Sequence, residues 1–400
     1  MLSVDEALKK ILQQVKPTEV CERVSIDKAI GLILAEDQYS AIDVPPADNS
    51  AMDGYALNTN ALSEDENTSL AVSQTITAGD IALPLANNTA ARIFTGAEIP
   101  EGADAVVMQE QCERNQDKVS VPKLVSPGNN IRRRGQDIKS NSRILSKGRR
   151  LQAQDCGLLA SIGLTTVPVF RRLRVAILST GDELVEPGQE LKKGQIYNSN
   201  RYLLKGLLTQ LGWDIDDFGV IGDNLDETKA CLEKATTADC IISTGGVSVG
   251  EEDYIKQAVT ELGDLALWRI ALKPGKPLAF GHIKHTPFFG LPGNPVSTFL
   301  TFLLFVKPFL TVLQGQHYKP AEMMSYRANF SNKANPKRQE YIRVSINYNE
   351  GSVDKFSNQS SGVLSSVVQS DAFAVIPVNT TIAIGDEINI IPFNHFLNRD

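Results

Sequence analysis

The spacing of hydrophobic positions changes several times along the 400-residue chain, and each change predicts a different kind of element. Near the start, apolar residues recur every three to four positions after Ser3, which predicts an amphipathic helix over 4–15 with Ser3 as its N-cap. Between 55 and 138, short alternating segments are separated by turn residues. That pattern is typical of a small β-barrel or sandwich inserted into another domain.

From 172 to 320, apolar strands alternate with helical segments. A continuous apolar strand at 174–179 is the first of these, and a helix at 254–262 follows the strand that ends at Ile242. Alternation of this kind predicts a doubly wound α/β domain with a mostly parallel sheet. From about 321, strand-like alternation returns, which predicts a separate small β-barrel domain at the end of the chain.

We therefore expect a multidomain α/β plus β protein. Four hundred residues exceed one ordinary core, which agrees with several domains. The predicted units are a discontinuous mixed α/β domain, an inserted β domain, a central nucleotide-binding-like α/β domain and a C-terminal β domain. They cover, in that order, residues 1–48 with 139–171, 49–138, 172–320 and 321–400.

Composition limits the partners. A net charge of −7 argues against nucleic acid as the main partner and requires a local basic pocket for any anionic ligand. Five cysteines without a C-x-x-C motif indicate free thiols in a reducing compartment, so we expect a cytoplasmic protein. The most apolar run, 296–313, contains Lys307 and Pro308, and we interpret it as a buried helix, with no membrane partner.

A glycine-rich loop at 243–250 lies between the strand ending at Ile242 and the helix at 254–262. A strand, a glycine loop and a helix start can hold an anion with backbone N–H groups. The loop matches neither the G-x-G-x-x-G fingerprint nor the P-loop, because its glycines are adjacent and Glu251 follows its last glycine. A plain tight turn is the alternative. The residues that would form the cradle are Gly245, Gly246, Ser248 and Gly250.

Ligands of doubly wound domains bind beyond the carboxyl ends of the strands. This rule brings together carboxylates at one rim, namely Asp182, Glu183, Asp223 and Asp253. The loop that follows the strand at 265–270 adds the cations Arg269, Lys273 and Lys276. Cations alone would bind a phosphate or another oxyanion, whereas added carboxylates favour Mg²⁺ with oxygen ligands. The rim therefore predicts an enzyme acting on phosphoesters or nucleotides; solvated surface charges are the alternative for each residue alone.

Two stiff loops complete the candidate site. Asp53 follows the proline-containing segment 44–52 and is either a turn-capping carboxylate or a ligand for a metal or polar group. Pro292 and Pro295 stiffen the segment that opens a helix over 295–313, and Ser297 lies in its first turn. The start of that helix is a second candidate oxyanion site.

Several motifs together resemble one family. They are NSAMDGYA at 49–56, TGA at 95–97, STGDEL at 179–184, GGVSVG at 245–250 with Asp253 and Tyr254, KPGKP at 273–277 and LPGNPVS at 291–297. NPKR at 335–338 and SSGVLSS at 360–366 extend the likeness to the last domain. In this order they are similar to the MoeA family of molybdopterin molybdenumtransferases, which includes the E domain of gephyrin.

The resemblance implies a reaction in which adenylylated molybdopterin and molybdate give molybdenum cofactor and AMP, assisted by Mg²⁺. It also implies a homodimer whose cleft lies between the α/β domain and the β domain of the other subunit. Contact with the molybdopterin adenylyltransferase is a further expected partnership.

Carried over by position, the resemblance implies a polar cleft whose floor is shaped by Pro292 and Pro295. The implied cleft residues are Asp53, Thr95, Glu183, Asp223, Asp253, Arg269, Lys273 and Lys276. Lys273, Lys276 and the N–H groups near Ser248 and Ser297 would then hold molybdate and phosphate oxygens. The carboxylates Asp182, Glu183, Asp223 and Asp253 would place the metal.

Two other functions compete with this interpretation. An ATP-dependent molybdopterin adenylyltransferase has a similar glycine loop, but as a single domain, and net adenylylation of molybdopterin would identify it. A gephyrin-like scaffold without catalysis is the second, although this chain has no long linker and keeps the polar rim. The domains before 172 and after 320 favour the molybdenumtransferase.

Overall fold

The structure is a computed structural model, and it describes residues 1–222, 224–245, 254–275 and 277–397. Residues 1–48 form one helix and three short strands: α1 (Val4–Leu12), β1 (Cys21–Ser25), β2 (Ile33–Leu34) and β3 (Gln38–Tyr39). The Ser3 side chain accepts a hydrogen bond from the Glu6 N–H, and the Glu6 carboxylate accepts one from the Ser3 N–H. This capping box fixes the predicted helix start.

Residues 49–132 form a half-barrel and a two-stranded ribbon. The strands are β4 (Asn49–Ser50), β5 (Gly54–Leu57), β6 (Thr68–Ile76), β7 (Thr89–Ile93), β8 (Ala105–Met108), β9 (Glu113–Asn115), β10 (Lys118–Val121) and β11 (Ile131–Arg132). The half-barrel has the order β8-β5-β7-β6-β10-β9, and β4 pairs with β11. Alternate residues of β5 belong to two apolar clusters. Tyr55 and Leu57 are in one cluster, and Ala56 is in the other.

The chain then returns to its beginning through β12 (Arg143–Leu145), α2 (Ala153–Ser161) and β13 (Thr166–Phe170). Strand β13 lies between β1 and β2, and β12 pairs with β3. Helix α1 packs elsewhere: its apolar face, with Val4, Ala7 and Ile11, is part of the core of the α/β domain. The domain boundaries drawn from the sequence stay a prediction.

The α/β domain begins with a strand at 174. Its elements are β14 (Arg174–Thr180), β15 (Leu184–Val185), β16 (Ile196–Tyr197), α3 (Ser199–Leu211), β17 (Asp214–Ile221), α4 (Leu225–Ala235), β18 (Cys240–Thr244), α5 (Tyr254–Leu262), β19 (Gly263–Arg269), β20 (Leu272–Lys273), β21 (Pro277–Ile283), β22 (Thr286–Leu291), α6 (Pro295–Thr301) and α7 (Lys307–Leu313). The sheet order is β17-β14-β18-β22-β21-β19, and the first four of these strands are parallel.

Helices cover both faces of this sheet, as the alternating pattern predicts. Helices α3, α6 and α7 pack in one apolar cluster, and α4 and α5 pack in the other. Because β14, β18 and β22 are parallel neighbours, their carboxyl ends at Thr180, Thr244 and Leu291 meet at one edge. The doubly wound architecture is confirmed.

Helices α6 and α7 are continuous through a π-helical turn at 302–306. Within the described part of the chain, 295–313 is the one helix long and apolar enough to cross a membrane. Of its apolar window, 83% is buried inside the protein. Phe302, Phe305 and Phe309 are fully buried, which confirms the interpretation of this run as a core helix.

The last domain is a closed five-stranded barrel. Its elements are β23 (Met324–Ala328), β24 (Gln339–Asn347), β25 (Ser352–Lys355), α8 (Ser365–Val368), β26 (Ala372–Ile376), β27 (Glu387–Pro392) and α9 (Phe393–Leu397). The strands close in the order β24-β25-β23-β27-β26, with β26 paired back to β24. Strand β20 of the α/β domain adds to β24 in parallel, so the barrel is attached beside the strand ends of the central sheet.

Candidate functional site

The carboxyl ends of β14, β18 and β22 approach so closely that only glycine fits between them. Gly245 follows β18 with a φ of +86°, and its N–H donates to the Leu291 carbonyl at 3.3 Å. A Cβ atom at Gly245 would lie 2.7 Å from the Thr180 carbonyl oxygen. The first glycine of the predicted cradle is therefore required by the local backbone. Gly246, Ser248 and Gly250 lie outside the described residues.

Buried polar side chains lie behind this rim. Among the residues that the structure describes, four atoms there have no hydrogen-bond partner: Thr180 Oγ1, Asn198 Nδ2, Asn200 Oδ1 and Ser243 Oγ. An unpartnered buried polar group costs about 1–3 kcal/mol, so a cluster of them needs a reason beyond stability. None of these four residues was predicted as a site residue from the sequence. Thr180 and Ser243 carried a signal, because they are polar residues at the carboxyl ends of the apolar strands β14 and β18.

Two of the four predicted metal carboxylates lie in the described part of the chain. Asp182 and Glu183 directly follow β14 and are exposed. The Glu183 carboxylate folds back over Gly181, whose φ of +135° favours glycine. Asp223 and Asp253 lie outside the described residues.

The donors at this rim fit a hard cation. Among the residues that the structure describes, no group of three or more His, Cys, Asp or Glu side chains converges. Asp182 and Glu183 are exposed carboxylates and therefore oxygen donors. An all-oxygen set suits Mg²⁺ better than a transition metal.

Lys273 is held at the junction of the α/β domain and the barrel. Its Nζ lies 2.5 Å from Glu340 Oε1, because β20 pairs with β24 and places the two residues opposite each other. Glu340 is 7% exposed and also accepts hydrogen bonds from Asn332 and Asn335, at 2.7 and 3.3 Å. Burial alone would raise the pKa of Glu340, but the bonds from Lys273 and the two amides hold it below its ordinary value.

Further positive charge lies in the barrel beside this pair. Lys355 donates to Asn332 Oδ1 at 3.0 Å, and burial lowers its pKa, with Lys273 and Arg343 contributing in the same direction. Arg343 is 1% exposed; burial lowers its pKa to about 10, and it donates to Ser366 Oγ at 3.0 Å. These barrel residues were missed, because Arg343 looks like one polar position in an alternating strand.

The proline loop is fastened to the same barrel. The Val296 N–H, in the first turn of α6, donates to the Ser361 carbonyl at 3.0 Å. Ser297 is 2% exposed and lies against Gly275, where an added Cβ would be 3.4 Å from the Ser297 Cβ. Ser297 therefore packs against the loop between Lys273 and Pro277, which we call the lysine loop. Its predicted contact with an oxyanion stays a prediction.

The remaining predicted cleft residues belong to the proline loop, strand β19 and the lysine loop. Pro292 is buried, and its carbonyl accepts a hydrogen bond from the Thr298 hydroxyl. Pro295 is the first residue of α6. Arg269, the exposed last residue of β19, pairs with Pro277 at the far end of the loop. Lys276 lies outside the described residues.

Asp53 and Thr95 form a pair in the inserted domain. Asp53 Oδ1 accepts hydrogen bonds from the Thr95 N–H at 2.8 Å and from the Thr95 hydroxyl at 2.7 Å. These two bonds, the backbone one first, hold the pKa of Asp53 below its ordinary value. In the described ranges, no hydrogen bond or ion pair of this pair reaches the rim of its own chain. The predicted site residues therefore form two separate groups within the chain. One is the rim with Lys273, and the other is the Asp53–Thr95 pair.

Family models match the chain along most of its length. Residues 2–163 match the "MoeA N-terminal region (domain I and II)". Residues 176–312 match the "Probable molybdopterin binding domain", and residues 326–393 match the "MoeA C-terminal region (domain IV)". The chain belongs to the MoeA family. The resemblance drawn from the motifs is therefore confirmed.

Relatives and solved structures of the MoeA family match over the full length. A Haemophilus influenzae protein named molybdopterin molybdenumtransferase is 40% identical over 99% of this chain and 100% of its own. A Nostoc protein of the same name is 36% identical over 92% of this chain and 88% of its own. A crystal structure of the molybdopterin biosynthesis moeA protein from Pyrococcus horikoshii OT3 covers 98% of this chain and 100% of its own, with 32% identity and a TM-score of 0.85.

Proposed function

We propose that this MoeA-family protein inserts molybdenum into adenylylated molybdopterin, using molybdate and releasing AMP. One observation carries the proposal: Lys273, fixed by the buried Glu340, stands where the barrel meets the strand ends of the α/β domain. An anionic substrate with a phosphoanhydride needs such a fixed cation beside a backbone cradle. Relatives named molybdopterin molybdenumtransferase cover the whole chain, which supports this substrate class.

Each element of the site has a chemical role in this proposal. Lys273, Lys276 and Arg269 bind molybdate and phosphate oxygens, with Lys355 of the barrel as a further cation behind Lys273. The N–H groups after β18 complete the cradle. Pro292 and Pro295 form the floor of the cleft. Ser297 keeps the lysine loop in place through its contact with Gly275.

A divalent ion is part of the proposal. Asp182 and Glu183, with Asp223 and Asp253, would hold Mg²⁺, which neutralises phosphate charge and polarises the phosphoanhydride. The two residues that follow β14 supply this position from a turn that Gly181 makes possible. The protein's own part is to keep these carboxylates on the same rim as the lysine loop.

The reaction balances without an oxidant or reductant. Molybdenum becomes bonded to the two pterin sulfur atoms, and the two thiol protons leave with one molybdate oxygen as water. The phosphoanhydride breaks, AMP leaves with the bridging oxygen, and an oxygen from water or molybdate replaces it on phosphorus. Lys273 stabilises negative charge on the leaving phosphate.

The proposal includes a homodimer whose active cleft is composite. The Asp53–Thr95 pair is joined by two hydrogen bonds and follows Met52, which is exposed. We place this pair of one subunit against the rim of the other, where the Asp53 carboxylate and Thr95 hydroxyl would orient the substrate. The adenylylated pterin is a labile product of an adenylyltransferase, so we also propose contact with that enzyme, in the cytoplasm.

The experiment that tests the activity separates it from adenylylation. Purified protein receives either ATP with molybdopterin, or adenylylated molybdopterin with molybdate and Mg²⁺. The proposal predicts AMP and active reconstituted apo-molybdoenzyme only from the second mixture. Net adenylylation in the first mixture would identify an adenylyltransferase instead, and no reaction in either mixture would support a scaffold.

A further inference from the structure

A basic cavity, separate from the candidate active site, lies at the junction of the discontinuous domain with the α/β domain. Its volume is about 600 Å³, within the usual range for small-molecule sites. One side is the segment 146–152, and the other sides are the end of α3, helix α7 and the segment 316–319. None of the residues assigned above to the candidate active site lines it. Its function is therefore a separate question.

The lining is strongly cationic. It includes five basic side chains: Lys147, Arg149, Arg150, Lys307 and Lys319. Among the described residues that line the cavity, none is acidic. This concentration contrasts with the net charge of −7 for the whole chain. On a protein with net negative charge, a lining with basic side chains and no acidic ones is suited to binding an anion.

Acidic groups nearby reduce this charge only in part. Asp155, at 2.9 Å, forms an ion pair with Arg149 from the first turn of α2. Asp5, on α1, is close enough to contribute to the raised pKa of Tyr318, for which burial is the larger cause. Neither carboxylate lines the cavity. Arg150 and Lys307 also interact with other groups, but among the described lining residues the charged side chains are all basic.

The walls of the cavity are firmly built. Arg150 is a buried side chain that donates to the Gly31 carbonyl at 2.7 Å and to Gln316 Oε1 at 3.1 Å. The backbones of the two sides touch, since a Cβ at Gly148 would lie 2.8 Å from the Gly315 carbonyl oxygen. Trp213 closes the back, with its Nε1–H donating to Gln314 Oε1 at 2.7 Å. The basic groups therefore project from rigid backbone.

We propose that this cavity binds a small molecule carrying two or more phosphate groups. Each phosphate monoester carries roughly −1.5 to −2 charges at pH 7, which is opposite in sign to the five basic side chains that line the cavity. Guanidinium groups bind phosphate oxygens in pairs, and lysines add point charge. Bound there, the ligand bridges segment 146–152 and helix α7, and thereby ties two domains together.

The test uses pyrophosphate as the probe and Trp213 as the reporter. The chain has two tryptophans, so a Trp268→Phe chain keeps Trp213 as its single indole. We expect a saturable change of fluorescence with pyrophosphate. In that background Lys147→Glu and Lys319→Glu should each raise the Kd at least about tenfold, because both side chains are exposed and line the cavity. Lys118→Glu, exposed on β10 of the half-barrel, is the matched control and should leave the Kd unchanged.

Equilibrium dialysis with labelled pyrophosphate counts the sites independently of fluorescence. The proposal predicts that Lys147→Glu removes one bound pyrophosphate and that Lys273→Ala leaves the Trp213 response intact, because the active site is elsewhere. An adventitious ion only is the conclusion if sulfate at equal ionic strength gives the same response. Unchanged stoichiometry and Kd in both cavity variants, with wild-type melting temperature, would overturn the proposal.

Discussion

Lys273 Nζ lies 2.5 Å from the carboxylate of Glu340, a residue that belongs to a different domain and is 67 positions away. The lysine side chain is 49% exposed, whereas its partner is buried. One end of the ion pair is therefore fixed in the barrel, and the other is partly open to solvent. We therefore expect Glu340 of the barrel to set the position of the lysine charge when a substrate binds.

The first prediction concerns this positioning. Glu340→Gln should lower kcat/KM for molybdenum insertion roughly tenfold to a hundredfold, because a displaced charge no longer meets the developing negative charge. Lys273→Ala should cost more, about 10²–10³-fold in kcat, as loss of one stabilising donor does. Glu387→Gln, an exposed carboxylate on β27 of the same barrel, is the control. Steady-state AMP release measures all three, and equal rates for Glu340→Gln and the control would refute the positioning role.

The second prediction concerns acid stability. Hydrogen bonds hold the pKa of Glu340 below its ordinary value of 4.5, so its carboxylate stabilises the fold above that pH and loses this effect as the pH falls through the folded pKa. Wild-type protein should therefore lose free energy of unfolding more steeply below pH 4.5 than Glu340→Gln does. At neutral pH the variant should be less stable by roughly 1–3 kcal/mol. Urea unfolding at several pH values measures the difference, and parallel curves would contradict it.

The third prediction concerns the glycine at the rim. Gly245→Ala places a Cβ 2.7 Å from the Thr180 carbonyl oxygen at a φ of +86°, so the ends of β14 and β18 must move apart. Gly188→Ala is a matched control, with a φ of +96° and no atom within 4 Å of the added Cβ. Both should lose about 1–2 kcal/mol from the left-handed backbone. Only Gly245→Ala should also lose AMP release, and equal activity in the two variants would show that the strand ends tolerate movement.

The fourth prediction concerns the composite cleft. If Asp53 of one subunit serves the rim of the other, dimers that combine Asp53→Ala and Lys273→Ala chains contain one intact site. Random mixing of the two inactive chains should then restore about a quarter of wild-type activity. The random mixture is assayed for AMP release, and the mixed dimer isolated with two affinity tags should show about half of wild-type activity, since one of its two sites is intact. Activity no higher than that of the parents would place both residues in a site of one chain.

Much of the fold follows from local sequence pattern. Helix α5 covers the predicted residues 254–262, because its apolar residues recur along one buried face. The first parallel strand, β14, is recognisable as a continuous apolar run. From these elements, the rule for strand carboxyl ends places the rim with no knowledge of side-chain contacts.

The partners of these elements were not predictable. The spacing of α1 shows an apolar face but not that this face packs into the core of the α/β domain. Likewise, Lys273 is evident from its loop, whereas Glu340 is one residue of an alternating strand whose importance depends on the pairing of β20 with β24. Long-range pairing of this kind depends on tertiary packing, which short windows of sequence do not contain.

One measurement tests the central claim most directly. Under single-turnover conditions, purified protein is mixed with adenylylated molybdopterin, molybdate and Mg²⁺, and AMP and pterin-bound molybdenum are followed together. We predict that both products appear in equal amounts with wild-type protein, only when molybdate is present, and that Lys273→Ala slows both equally. AMP release without pterin-bound molybdenum, or full activity of the Lys273→Ala variant, would contradict the proposed function and its site.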